Sequence, residues 1–330
     1  ATASSYFYSQ LTWAAIGLVA ALVVYFIDYR VYERLAYPFF GLVIVLLIAV
    51  LIFSRAVSGS QRWLALGPMR LQPSELMKVA IVFTLAKYFN DHEHPKPGYG
   101  FWDLRWVWLM LGGAVVLIVI EPDLGTGMLV AAIGGTLVLF SKLRARTFLI
   151  LLLIGALSAP IAWTFVLKDY QKHRVLTLLD PDSDPRGKGY HRRQSVIAVG
   201  SGQLEGKGYL SGTQSQLRFL PEQHTDFIFS VSAEEHGFLG GTLLLTVYAA
   251  LILSGLHIAS KARERFGVLC ALGATSVFFW QSIINIGMVI GVLPVVGVTL
   301  PFMSYGGTSL LVSFALIGLL LNIYSRRNLF

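Results

Sequence analysis

The run Leu220-Pro221-Glu222-Gln223-His224-Thr225-Asp226 ends where a long apolar stretch begins. A carboxylate at such a boundary, partly desolvated and preceded by a basic segment, can act as a general base. It can equally be the N-cap of the helix that follows. Glu234 and Glu235 stand inside the apolar stretch itself. Ionisable groups at that depth are costly and imply partners or a polar cavity.

Two further groups have the right types and spacing for chemistry. Gln72-Pro73-Ser74-Glu75-Leu76-Met77-Lys78 opens another apolar segment. Pro73 suits a first helical turn, Glu75 complements the helix dipole, and Lys78 falls three residues on, nearly on the same face. Glu75 and Lys78 therefore read either as a local ion pair or as charges lining a cavity. Glu121-Pro122-Asp123-Leu124-Gly125-Thr126 forms a very short turn between two apolar segments. Asp123 there caps the next helix, coordinates a divalent cation or orients a ligand. Near the C-terminus, Pro294, Gly297, Pro301, Ser304, Gly306 and Gly307 interrupt the helical pattern. Non-helical backbone at membrane depth is tolerated where it lines a cavity or is covered by protein.

Two other resemblances fail. Asp180-Pro181-Asp182-Ser183-Asp184 opens like a calcium loop, but Pro185 stands where glycine is required and His191 where glutamate is. Gly206-Lys207 lacks the remaining glycine and hydroxyl of a phosphate-binding loop. The cytoplasmic cluster Asp91-His92-Glu93-His94 has metal-ligand types but reads first as an ordinary solvated loop.

The elements that position these groups are helices in a membrane. The 330 residues are 55% hydrophobic and only 13% charged, whereas soluble domains carry about 25% charge. Spans of about 20 apolar residues are expected near 9–27, 37–54, 74–90, 104–120, 125–140, 147–167, 227–256, 266–290 and 304–325. The fold class is thus all-α: a polytopic membrane bundle of about nine transmembrane helices, residues 1–330 forming one integral membrane domain. Thirteen Lys and Arg fall in the short loops of one side and three in those of the other. The positive-inside rule makes the first side cytoplasmic and places the N-terminus outside. The net charge of +8 follows this topology and does not point to nucleic acid. The single cysteine, Cys270, excludes an intrachain disulfide. The start Ala1-Thr2-Ala3-Ser4-Ser5 lacks an initiator Met, so the true N-terminus is expected upstream.

Residues 168–225 form a long loop on the outer, extracytoplasmic side. It holds nine Lys or Arg and six Asp or Glu, a balance that suits an anionic ligand. Gly200 to Gly208 implies tight turns, and Ser195 to Val199 implies a partly ordered re-entrant or interfacial segment.

Taken together, RWLALGPMRLQPSELMKVA (62–80), EPDLGTG (121–127), DYQKHRVLTLLDPDSDPRGKGYH (169–191), GTQSQLRFLPEQHTDFIFSVSAEE (212–235) and GVLPVVGVTLPFMSYGGTSLL (291–311) resemble the SEDS family (shape, elongation, division and sporulation). GTQSQL ahead of LPEQHTDF resembles the elongation branch more than the division branch. The blocks occur in family order over most of the chain. Members have ten spanning helices. This chain lacks most of the first, and residues 1–8 resemble the outer loop after it. His236, where the family usually has Leu, is a mild departure.

The resemblance implies a multi-pass enzyme of the bacterial cytoplasmic membrane, with its active site facing outward. Its implied activity is that of a peptidoglycan glycosyltransferase which polymerises lipid II with inversion for cell elongation. It implies as partners a class B penicillin-binding protein, the elongation machinery, undecaprenyl-pyrophosphate-linked glycan and membrane lipids. The family's essential aspartate falls on Asp226, its Glu/Lys pair on Glu75 and Lys78, and its PDLGT aspartate on Asp123. Lys78, Arg174, Lys207 and Arg218 are the candidate cations for the pyrophosphate leaving group. His224, Glu235 and Ser304 complete the expected cavity. A magnesium or manganese ion near Asp123 or Glu75 would share the charge, and no organic cofactor is expected. The alternatives are a flippase for a lipid-linked precursor and a non-catalytic scaffold for the penicillin-binding protein.

Overall fold

The structure, a computed structural model, describes residues 3–53, 62–66, 69–92, 98–161, 163–164, 172, 176, 188–217, 219–220 and 222–327. Its main helices are α1 (Ala3–Phe26), α2 (Tyr29–Phe53), α3 (Pro73–Asp91), α4 (Arg105–Ile120), α5 (Leu124–Phe140), α6 (Ala145–Ile161), α7 (Lys188–Ser201), α8 (Ile228–Lys261), α9 (Arg265–Val289) and α10 (Gly307–Arg326). Each expected span has its helix, and α7 is the additional one. Six stretches among the described residues are long and apolar enough to cross a membrane, with α5 and α6 supplying shorter apolar helices. The chain is a polytopic α-helical membrane protein. The departure from all-α is a small hairpin, β1 (Leu64–Leu66) against β2 (Met69–Leu71), with Ala65 opposite Arg70.

The chain divides into two compact units, each with its own internal packing. The first comprises Ala1–Thr147, Leu251–Trp280 and Tyr305–Phe330. Within it α10 packs along α1, and α3 packs against α2 and α5. Gly318 of α10 lets the backbones close, because a β-carbon there would strike the Ala21 carbonyl. Small residues serve this purpose in membranes, where van der Waals contact replaces the hydrophobic drive between helices. Asn322 donates to the Val24 and Tyr25 carbonyls at 2.7 and 2.8 Å, and Arg326 meets Asp28 at 3.0 Å. These bonds satisfy carbonyls that the end of α1 would leave open. The hairpin leads into α3, whose preceding residue Gln72 donates its backbone N–H to Thr308 Oγ1 at 3.2 Å.

The second unit comprises Phe148–Ala250 and Gln281–Ser304. The segment expected to be re-entrant or interfacial is helical α7. Its Ser195 hydroxyl lies 2.8 Å from that of Ser230 and donates to the Val289 carbonyl at 2.8 Å. Arg192 of the same helix donates to the Gly291 carbonyl at 2.7 Å. The serine ties α7 to the start of α8 and the end of α9.

The expected span 227–256 contains an internal break. Gly237 adopts φ 63° and ψ −161° in the middle of α8. The interruption frees backbone groups that a bilayer cannot hydrate. Residues 203–208 meet that need: Phe238 and Leu239 donate to the carbonyls of Gln203 and Leu204, while Lys207 and Gly208 donate to those of Glu234 and Glu235, all at 2.8–3.1 Å. The glycine-rich run is therefore the complement of the broken helix.

Candidate active site

In the first unit the polar groups converge on Asp123. It is the N-cap of α5, and its Oδ1 accepts from the Thr126 N–H at 3.4 Å. That bears out the capping reading without exhausting the residue. Its Oδ2 accepts from Gln72 Nε2 at 2.9 Å and from the Ser74 hydroxyl at 3.2 Å. Arg62 places Nη1 3.6 Å from Oδ1 and donates through Nη2 to the Pro122 carbonyl. One turn into α3, Lys78 Nζ donates to Glu75 Oε2 at 2.6 Å, and the lysine side chain is fully buried. Glu75 and Lys78 are thus a local ion pair, buried within the first unit.

Glu121 adjoins this network. It is fully buried, and neither carboxylate oxygen has a hydrogen-bond partner. Burial pushes its carboxyl up to about 8, the Asp123 charge adds to the rise, and Arg62 opposes it. Glu121 sits in the turn between α4 and α5, outside either helix.

In the second unit Asp226 lies two residues before α8 and is half-buried. The chain beneath its carboxylate is the irregular segment 291–304. Gly297 adopts φ 76°, and a β-carbon there would come within 3.2 Å of Asp226 Oδ2. Several side chains fix that segment, three of them close to Asp226. Ser304 donates to the Thr225 carbonyl at 2.6 Å and accepts from the Leu300 N–H at 2.7 Å. Tyr248 donates to the Pro301 carbonyl at 2.6 Å. Asn285 donates to the Val298 carbonyl at 2.6 Å and to the Asp226 carbonyl at 3.0 Å. The non-helical backbone expected from Pro294 to Gly307 thus forms the seat of Asp226.

Glu234 is fully buried, and its Oε1 accepts from Lys207 Nζ at 2.8 Å, the Gln214 N–H at 3.0 Å and the Thr213 hydroxyl at 3.2 Å. One carboxylate thereby holds a cation and the loop behind it. Lys207 keeps 27% of its side chain exposed. Glu235 is buried, and His224 is exposed. Arg174 and Arg218 lie outside the described residues, as does most of the 168–187 stretch.

Sequence reasoning missed Glu121, Arg62, Arg192 and Asn285 as site residues. Glu121 stood in a quoted motif but was overshadowed by Asp123. Asn285 carried a signal too, as one of a run of polar residues (with Gln281 and Ser282) in the second half of a mostly apolar helix.

The fit of a divalent cation is limited. Both oxygens of Asp123 already face protein donors, and Glu75 is committed to Lys78. Among the described residues no cluster of three or more His, Cys, Asp or Glu could hold a metal ion. Magnesium, which takes one or two carboxylates and completes its shell with water and phosphate, could use no more than a fraction of this site.

Comparison with known proteins gives a consistent set of likenesses. The family model for FtsW, RodA and SpoVE, described as a cell cycle protein, matches residues 1–329. The peptidoglycan glycosyltransferase MrdB of Escherichia coli K12 is 45% identical over 315 residues, covering 96% of this chain and 84% of that protein. Stage V sporulation protein E of Bacillus subtilis is 36% identical over 340 residues, covering 98% and 88%. A chain from a structure on the coordination of polymerization and crosslinking by a peptidoglycan synthase complex matches with TM-score 0.84 and 33% identity, covering 98% and 90%. The rod shape determining protein RodA of Thermus thermophilus matches with TM-score 0.73 and 29% identity, covering 99% and 90%.

Proposed function

The chain belongs to the FtsW, RodA and SpoVE family and is a peptidoglycan glycosyltransferase, and we propose that it polymerises lipid II with Asp226 as general base. The observation that carries this reading is the seating of Asp226. Its carboxylate is half-buried over a glycine, on backbone fixed from two helices. Such a group is reachable by substrate yet constrained in direction, as proton transfer requires.

In the proposed reaction the growing glycan is bonded through its anomeric carbon to undecaprenyl pyrophosphate. The 4-hydroxyl of the acceptor sugar attacks that carbon, the bond to pyrophosphate breaks, and Asp226 takes the hydroxyl proton. Direct displacement inverts the anomeric centre without a covalent enzyme intermediate. Negative charge grows on the departing pyrophosphate, so fixed cations contribute most. Lys207, anchored by Glu234 yet partly exposed, is one such cation. Arg174 and Arg218 are proposed for the same charge, and Lys78 is proposed to serve the reaction from within the first unit, through its pair with Glu75. A magnesium or manganese ion, with Asp123 or Glu75 as protein ligand, is proposed for the first unit alone, and no step of the transfer depends on it.

We place the site at the outer face of a bacterial cytoplasmic membrane, where the loop charges put the 168–225 segment. The crosslinking partner is proposed to be a class B penicillin-binding protein, supported by the likeness to a chain of a peptidoglycan synthase complex. Likeness to a rod shape determining protein supports a role in elongation. The test is Asp226→Asn in a lipid II polymerisation assay with the purified protein and its partner. Loss of about 10²–10⁴-fold in turnover, with unchanged thermal melting, is expected for a general base. Wild-type polymerisation by the folded variant would remove Asp226 from that role.

A further inference from the structure

Asn285 spends both of its amide hydrogens on two backbone carbonyls that bracket the proposed base. One is the carbonyl of Asp226 at 3.0 Å; the other is that of Val298 at 2.6 Å. Val298 follows Gly297, the residue against which the Asp226 carboxylate lies. One amide thus spans the chain that carries the carboxylate and the chain that seats it. Its orientation is not arbitrary. Both neighbours are acceptors, so only the NH2 end can face them.

The opposite end of the amide is costly. Asn285 is fully buried, and its Oδ1 has no hydrogen-bond partner. An unsatisfied buried acceptor costs about 1–3 kcal/mol. Ser282, one turn earlier on α9, has a buried hydroxyl without a hydrogen-bond partner as well. A leucine has the same branching, though more volume, and strands no oxygen. The two donations are what the residue supplies in return, and both act on the Asp226 seat.

We propose that Asn285 is a positioning residue of the transferase, which fixes the Asp226 carboxylate relative to the 297–298 backbone. The inference rests on the reading of Asp226 as base. Asn285 touches no reacting atom. Its removal leaves the base present on a less firmly held seat, so turnover falls while substrate affinity is kept.

The experiment compares wild type, Asn285→Leu, Asn285→Asp and Asp226→Asn, as purified full chains with the partner, in lipid II polymerisation across pH. Asn285→Leu is expected to lower kcat by one to two orders of magnitude with KM within about threefold, since small misplacements carry costs of about that size. Asn285→Asp keeps the shape. Protonated, it donates to one carbonyl; charged, it repels both. Its kcat should therefore fall with rising pH along a limb that wild type lacks. Asp226 is a carboxyl close to that position, so in Asn285→Asp the two acids titrate as a coupled pair, and the whole profile is compared with that of wild type.

Where Asn285→Leu does not fold, the Asn285→Asp profile decides. Unchanged kcat in Asn285→Leu, or superimposable profiles for Asn285→Asp and wild type, would overturn the proposal. So would an Asn285→Asp protein that loses its cooperative melt at every pH, which would make the residue purely structural. Failure of the base reading is distinguishable, because it shows as an active Asp226→Asn protein whatever the Asn285 variants do.

Discussion

Gly206 passes so close to Gly237 that neither position has room for a β-carbon. Both have positive φ, 83° and 63°, and a side chain at either would strike the other's backbone or the residues beside it. The break in α8 and the loop that fills it are therefore one device. It delivers Lys207 to Glu234, since the same strand of loop donates the Lys207 N–H to the Glu234 carbonyl.

Gly237→Ala should consequently cost more than an ordinary glycine substitution. Residues other than glycine tolerate positive φ poorly, and here the close approach of Gly206 adds a clash. A lowered melting temperature is expected, together with greater protease sensitivity of the 203–214 loop and reduced polymerisation. Gly255→Ala, which meets only the Thr275 side chain, should affect melting without changing the loop's protection pattern in hydrogen exchange. Equal protection of the 203–214 amides in wild type and Gly237→Ala would contradict the coupling.

The Glu75–Lys78 pair predicts non-additivity. Lys78→Met leaves a nearly buried carboxylate without its 2.6 Å partner. Breaking a buried pair costs about 3–5 kcal/mol, whereas replacing both members is often close to neutral. Lys78→Met should melt well below wild type, and Lys78→Met with Glu75→Gln should recover most of the loss. If the pair also serves the reaction, stability returns in the double variant without activity. Thermal melts and polymerisation on the same three proteins separate the two contributions.

Much of this molecule was legible in its sequence because a membrane leaves few alternatives. Apolar runs located a helix for each of the nine expected spans, six stretches among the described residues being long and apolar enough to cross a membrane, and the interruptions from Pro294 to Gly307 foretold irregular backbone at the site. Asp226, Asp123 and the Glu75–Lys78 pair stood out because charge beside apolar sequence is expensive. What stayed hidden had no such contrast. The strand pair 64–66 and 69–71 is too short for an alternating pattern to show, and the bonds that tie α7 to α8 and α9 leave no pattern in its own sequence. Gly237 looked like any glycine in an apolar run, because the partner that rescues its break is about thirty residues away. Asn285 is neutral, and its importance lies in two carbonyls that no local pattern connects to it.

Glu121 gives a pH dependence with a definite sign. Its carboxyl is pushed up to about 8 from the usual 4.5, chiefly by burial, with Asp123 adding and Arg62 opposing. The folded protein therefore holds a proton there that the unfolded chain releases at lower pH. Stability from this group is fully present below about 4.5 and is lost as pH rises toward about 8. Glu121→Gln cannot titrate and keeps the neutral form at every pH. Wild type and Glu121→Gln should melt together near pH 4.5, and the variant should melt higher by pH 9, by roughly 2–4 °C for each kcal/mol gained. The rival outcome is a constant difference across the range. It would mean that the buried carboxyl finds partners in the folded state as good as water offers the unfolded one, with Arg62 turning from Asp123 to supply them.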